Sequence, residues 1–435
     1  MSASPGVAPG YPAAMRLAPW TAIAAVRDID RPIAVLALIA FVSQIGVSVM
    51  LPLLPLYAQH LGATPDQLGL MVSSFAVTQT IGQLGSGAML GLVSARRQMP
   101  IGQAAYAAAN VLIATAGAAV PLIVFRALAG LGGGLSIIAE RLYIARVADQ
   151  ARLAFTNGIV SAAGSAGSVF GPLVGGAAIL AAGDLRLPFV LVAITATVAM
   201  VSALAFLPPE RVRPSGATAA TDAARAADLA GVDAPPAPIT RWVSIRPLLV
   251  LALWNLGFSA AYGAWITSFG PLATSRLGMP AGTVPWIFAA YGAGSITLGP
   301  ILARSADLRG RRTMVAIGSG LVFLNALSMV LAAPIWVVFA TAILAGGGLA
   351  AALSSWFALL TVATDGGRRG RSFGYVTALS NLGVVIGATI GSRAWQLSGD
   401  VTNAMWVANV CLVLAVASLL FVRRDRPVSS SVAGT

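Results

Sequence analysis

The chain has 435 residues, 57% hydrophobic and 9% charged, with a mean hydropathy of +0.85. A soluble protein of this length needs far more surface charge, so composition argues against an ordinary globular domain. The net charge of +13 comes from 27 basic residues, all Arg, and no groove-reading motif accompanies them, which argues against nucleic acid as a partner.

Residues 1–31 are rich in Pro, Ala and Gly and read as a disordered cytoplasmic tail without a cleavable signal. Apolar blocks follow near 32–57, 68–92, 98–118, 120–144, 156–180 and 187–208. Residues 209–243 interrupt them with a Pro-ended, polar linker. Six more blocks lie near 244–272, 283–303, 313–332, 334–363, 371–396 and 402–422, and 423–435 form a second tail. Each block suits a bilayer-spanning helix of about 20 residues. The expected architecture is an all-α polytopic membrane protein, with six spans in 32–208 and six in 244–422.

With the N-terminus inside, 22 of the Arg residues fall in tails and cytoplasmic loops. Arg186, Arg276 and Arg393 are then outside, and Arg126 and Arg141 sit in the fourth span. Short Arg-rich loops stay cytoplasmic, which puts both termini inside the cell (inner or plasma) membrane. The same charge suits anionic lipid headgroups. The single cysteine, Cys411, lies in the last span and reads as a packing residue. No metal-ligand cluster, nucleophile triad or phosphate loop is seen, so no metal, cofactor or enzyme activity is expected.

The halves align at a shift of 216 residues. "PLYAQHLG" from Pro55 meets "PLATSRLG" from Pro271, and Gly130 and Gly132 meet Gly346 and Gly348. Asp149, Arg152 and Gly158 meet Asp365, Arg368 and Gly374, and Gly167, Gly171 and Gly175 meet Gly383, Gly387 and Gly391. An even number of spans per repeat keeps both halves in one orientation. The pseudo-twofold then lies along the membrane normal, with a substrate site at the midplane between the halves.

On these features the chain resembles the major facilitator superfamily. "ADLRGRR" is similar to the family's loop motif through Asp307, Arg309, Gly310, Arg311 and Arg312. The resemblance implies a cytoplasmic gate latch, in which Asp307 faces a helix N-terminus and the Arg forks reach Asp365 or Asp149. Arg152 and Arg368 belong to the same loop set. The N-half copy, "GAMLGLVSARR", departs from the pattern at Gly91 and Ser94 and keeps only Arg96 and Arg97. "VFRALAGLGGGL" resembles the R-x-x-x-G-x-G motif of the fourth span through Arg126, Gly130 and Gly132. "GSVFGPLVGG" resembles the fifth-span motif of the family's drug:proton antiporters through Gly167, Gly171, Pro172, Gly175 and Gly176. Its glycines make a smooth ridge for a neighbouring helix.

An Arg inside a span costs at least ~2.5 kcal/mol, so Arg126 either faces the cavity or snorkels to the outer headgroups. Glu140 is the sole acid within a predicted span. Desolvation favours a protonated carboxyl, which makes Glu140 a coupling candidate; the other reading is an ion pair with a loop Arg. His60, at the outer end of the first span, is the next coupling candidate or a plain loop-edge histidine. The family architecture lines the cavity with the first and fourth spans of each half, which implies Gln44, Arg126, Asn255, Tyr262, Trp265, Ser355 and Trp356. Aromatic walls with few charges suit a bulky amphipathic substrate. The expected function is export of hydrophobic or amphipathic small molecules by proton antiport, by a monomer whose partners are substrate, protons and lipid. A metabolite facilitator or proton symporter is the alternative, followed by a lipid flippase or a membrane sensor.

Overall fold

A computed structural model describes residues 31–89, 92–147, 153–209, 245–363 and 369–421. Among them are fourteen α-helices and no strand: α1 Arg31–Met50, α2 Leu54–His60, α3 Pro65–Ala88, α4 Ala95–Ala114, α5 Ala119–Val147, α6 Leu153–Ala182, α7 Leu187–Phe206, α8 Ile245–Ser275, α9 Pro285–Thr297, α10 Gly299–Arg309, α11 Arg311–Val330, α12 Ile335–Ala363, α13 Arg369–Ser398 and α14 Thr402–Ser418. The first span is α1 plus α2, broken at 51–53, where Pro52 and Pro55 each remove a backbone donor. The eighth span is α9 plus α10, bent by 48° just before Pro300, whose ring displaces the carbonyl four residues back. Every other helix is one span, which makes twelve.

Eight of these helices are long and apolar enough to cross a bilayer alone, and the bent pair makes a ninth. The remaining three, α3, α4 and α13, are 24, 20 and 30 residues long but carry more polar side chains. Those side chains have specific work: α3 and α13 meet each other across the two halves, and α4 buries Gln98, Gln103 and Asn110 inside its own half.

The packing pattern repeats. In the N half α1 packs on α6 and α7, α3 on α5, and α4 on α5 and α7; in the C half α8 packs on α13 and α14, α9 on α12, and α11 on α12 and α14. Across the halves α3 meets α13 and α9 meets α6, each contact the image of the other under a twofold. The 216-residue register holds in detail for most helices. A Cβ on Gly102 would meet the Gly132 carbonyl, and one on Gly318 the Gly348 carbonyl. Gly62 and Gly278 both turn the chain with positive φ, as do Gly183 and Gly399.

The first helices depart from it. Gly167 of α6 faces the Phe41 carbonyl, whereas Gly383 of α13 faces that of Leu256; Gly171 faces Ile45 and Gly387 faces Ala260. The shift there is 215, so α8 carries one residue more than α1 ahead of Pro271. The N half absorbs the difference at the 51–53 break, where α8 runs on without interruption. The ungapped alignment is therefore corrected at this point.

Two ends of the molecule can be distinguished. The linker end carries residues 31, 209, 245 and 421 and the helix ends at 89, 95, 309, 311, 363 and 369; the far end carries the short turns such as 61–64 and 399–401. At the far end Thr64 and Gln67 form a reciprocal cap on α3, at 3.0 and 3.3 Å. Asp400 accepts from the Thr402 N–H at 2.9 Å to start α14, and this bond holds the exposed Asp400 carboxyl below its usual range.

Candidate functional site

The halves touch along the far part of the α3–α13 seam. Arg393 pairs with Asp66 at 2.8 Å, Ser73 and Thr389 share a hydrogen bond at 3.3 Å, and Asn381 donates to Thr80 at 2.8 Å. On the other side of the twofold, Gly176 lies against the Gly282 carbonyl and Trp286. Behind these contacts a cavity of about 890 Å³ lies between the bundles. It reaches the linker end, where its lining residues Arg141, Asn157 and Ser161 are exposed.

The N-half wall is polar. Gln103 of α4 donates to Ser43 of α1 and Ser136 of α5, at 3.0 Å each, tying three helices together at mid-depth. Gln44 donates to Ser48 at 3.3 Å. Along α6, Asn157, Ser161, Ser165 and Ser168 line the same cavity, and their spacing of four, four and three residues keeps them on one helix face. From the C half, Tyr262, Ile266, Asn381 and Val384 complete the lining.

A second chamber of about 320 Å³ adjoins the first and shares Gln44, Leu51, Ser165, Ser168 and Tyr262 with it. Phe258, Trp265, Phe288 and Tyr291 wall this chamber. Trp265 is its centre, with ring centroids 5.1 Å from Phe288, 5.7 Å from Tyr291 and 6.1 Å from Tyr262. Tyr291 is fixed from behind by a 2.7 Å bond to Asn325 Oδ1. The Trp265 indole N–H is buried without a hydrogen-bond partner.

Arg126 lies in the cavity wall and is only 3% exposed, so its guanidinium does not snorkel to the far-end surface. The guanidinium carbon sits 4.1 Å from the Phe75 ring centroid, and Nη1 contacts Met50 Sδ at 3.2 Å. Glu140, fourteen residues on, lines the cavity nearer the linker end, beside the exposed Arg141. Among the described residues its carboxylate makes no hydrogen bond or ion pair, so the expected pairing with a loop Arg is not seen there. Arg126 and Glu140 are about 21 Å apart along α5. His60 is exposed at the end of α2 and lines neither cavity.

Of the seven expected lining residues, Gln44, Arg126, Tyr262 and Trp265 line a cavity. Asn255, Ser355 and Trp356 line neither and correct that expectation. Asn255 Nδ2 donates to Ser380 of α13 at 2.6 Å, and the Trp356 indole donates to the Leu251 carbonyl at 3.0 Å while its ring packs 5.8 Å from Trp254. Ser355 is 3% exposed in the same packed layer. Conversely, restricting the lining to first and fourth spans missed Gln79, Gln103, Asn381 and the α6 serine row.

The glycine motifs are packing devices. Gly130 and Gly134 face carbonyls of α3, and Gly132 faces α4. Gly167, Gly171 and Gly175 lie against α1, and α6 runs unbroken through the buried Pro172. In the loop motif, Gly310 has φ +87° and joins α10 to α11; Ser94, its counterpart, has φ −61°, so the two loops are built differently. Arg309 is exposed and Arg311 and Arg312 are half-buried. Asp149, Arg152, Asp365, Arg368, Gly91 and the side chain of Asp307 lie outside the described residues.

With this geometry in hand, comparison with known proteins gives a consistent result. The family model described as Major Facilitator Superfamily matches residues 36–285 and again 253–435. The quinolone resistance protein NorA of Staphylococcus aureus is 28% identical over 160 residues, 37% of this chain and 41% of NorA. The chain thus aligns with about 40% of the length of such curated relatives. The crystal structure of nucleoside transporter NupG matches with a TM-score of 0.73 at 11% identity, over 89% of this chain and 98% of that one. The D-xylose–proton symporter matches with a TM-score of 0.70 at 16% identity, over 89% and 96%. At these identities the two structures share the fold.

Proposed function

The chain belongs to the Major Facilitator Superfamily, and on that premise we propose that it is a proton-coupled exporter of hydrophobic or amphipathic small molecules. It works by alternating access in the plasma (inner) membrane, with both termini cytoplasmic, by rocking 32–208 against 244–422. The observation that carries this reading is the aromatic chamber around Trp265, adjoining a wider cavity that reaches the linker end. An apolar body packs among the rings, and a few hydrogen-bonding groups on the N-half wall orient it. Glu140, the acid in the cavity lining, is the candidate proton carrier, since antiport needs a group that holds a proton in one state and releases it in the other. The stretch of similarity to NorA supports the outward direction.

The polar N-half wall favours a second reading, uptake of a polar metabolite by a facilitator or symporter. Accumulation of a panel of lipophilic dyes in cells with and without the protein, at two external pH values, separates them. The export reading expects lower accumulation with the protein present, and more so at acidic external pH. A pH-independent change in flux favours the facilitator, and no change in dye accumulation refutes export.

A further inference from the structure

We propose that the cavity takes an amphipathic organic anion, an arylcarboxylate, with its carboxylate on Arg126 and its ring system in the chamber around Trp265. The inference rests on the transporter reading above and names the substrate class of the same site.

The argument starts from an uncompensated charge. A guanidinium keeps its charge when buried, and a buried ion is stable only when paired and hydrogen-bonded. Arg126 has neither in full. Its partners are the face of Phe75, the sulfur of Met50, a weak acceptor, and the neutral hydroxyl of Tyr106, and its buried Nε–H has no acceptor. The ionisable groups that interact with it are the tyrosines Tyr106 and Tyr262, which line the same cavity. Among the described acids, Glu140 is about 21 Å along the helix, Asp66 is engaged by Arg393, and Asp184 and Asp400 are exposed in far-end turns. A cation–π contact attracts a cation without neutralising it. The site therefore lacks one anion, and a carboxylate matches the planar guanidinium fork.

The rest of the ligand follows from what adjoins the charge. Tyr262 lies beside Arg126 and lines both cavities, so a group bound at Arg126 has the aromatic chamber directly next to it. At about 320 Å³ the chamber is at the small end of ligand pockets and suits a flat, fused-ring body. The unpartnered Trp265 N–H stands ready for an acceptor oxygen on that body. A purely lipophilic cation, the other common amphipath, would be repelled by Arg126.

The test is equilibrium binding to the purified full-length protein in detergent, with radiolabelled 2-naphthoate and its neutral isostere 2-naphthamide. The wild type is expected to bind the acid at least about tenfold more tightly than the amide, the factor that roughly 1.4 kcal/mol provides. Arg126→Gln removes that preference, and Arg126→Lys keeps part of it, because the charge remains and the fork does not. Trp265→Ala weakens both probes alike. The wild-type comparison needs no variant to fold, and gel filtration checks the variants. Equal binding of both probes, a preference that survives Arg126→Gln, or no binding of either overturns the proposal. Selective acid binding without flux in proteoliposomes would sink the transport reading and leave the anion site standing. Flux of the amide without preference for the acid would do the reverse.

Discussion

Gly171 offers a stability test in which the main confounding term cancels. A Cβ at this position would lie 2.6 Å from the Ile45 carbonyl oxygen and 2.8 Å from Ser48 Cβ. Ordinary contacts need over 3 Å, so α1 and α6 must separate by roughly half an ångström, and overpacking of this kind costs about 1–3 kcal/mol. Gly171 also precedes Pro172, and a residue with a Cβ before proline is disfavoured in helical conformation. Gly158, on the same helix, has nothing within 4 Å of its virtual Cβ. Replacing either glycine by alanine gains the same helix propensity, about 1 kcal/mol. The difference between Gly171→Ala and Gly158→Ala therefore cancels the propensity gain and leaves the contact with α1 together with the pre-proline term. Thermal unfolding of the two purified variants in one detergent measures it. Gly158→Ala is expected to melt at or above wild type, and Gly171→Ala below Gly158→Ala by the equivalent of about 1–3 kcal/mol. If Gly171→Ala melts at or above Gly158→Ala, the close approach of α1 and α6 is wrong.

Three further outcomes follow from other parts of the structure. Glu140→Gln should abolish concentrative efflux driven by a pH gradient in proteoliposomes while leaving downhill exchange intact; uphill transport by the variant would move coupling elsewhere, with His60 next to be tested. The Asp66–Arg393 pair has side chains 36% and 59% exposed, so it is worth under about 1 kcal/mol and is screened by salt. Arg393→Ala should shift the closed fraction of the far end, read as a distance between spin labels across it, by no more than about fivefold, and less at high salt; a complete opening would contradict this. Gly310→Ala places a side chain at φ +87°, ψ +138°, at a cost of about 1–3 kcal/mol, and should slow turnover, whereas wild-type rates with normal expression would remove the loop from the transport cycle.

The spans were legible because apolar blocks of membrane length separated by Arg-rich loops leave few alternatives. The duplication was legible because Gly, Asp and Arg recur at one shift. The site was only partly so. Asn255, Ser355 and Trp356 read as cavity-facing because the family architecture lines the cavity with the first and fourth spans of each half, yet a neighbouring helix partners polar groups as well as a lumen does; Ser380 does so for Asn255 and the Leu251 carbonyl for Trp356. Gln103 escaped because it sits in a third span, away from the helices expected to line the site. The Asn157–Ser168 row could have been found, since its spacing alone puts those side chains on one face. The break at 51–53 left Pro52 and Pro55 as its trace, but the one-residue slip beside it shows only in which carbonyl each glycine touches.

That slip changes which residues of the two halves are true counterparts. At 216, Tyr262 corresponds to Gly46, a position pressed against Thr195 of α7. At 215, Phe258, Tyr262 and Trp265 correspond to Ser43, Val47 and Met50, and all six face a cavity. The two copies of an ancestral half have thus kept the same lumenal stripe and filled it with opposite chemistry. One copy kept small, hydroxylic and aliphatic groups around the buried Arg126, and the other acquired rings. Each copy supplies one pole of the site, and neither pole could be recovered by duplicating the other.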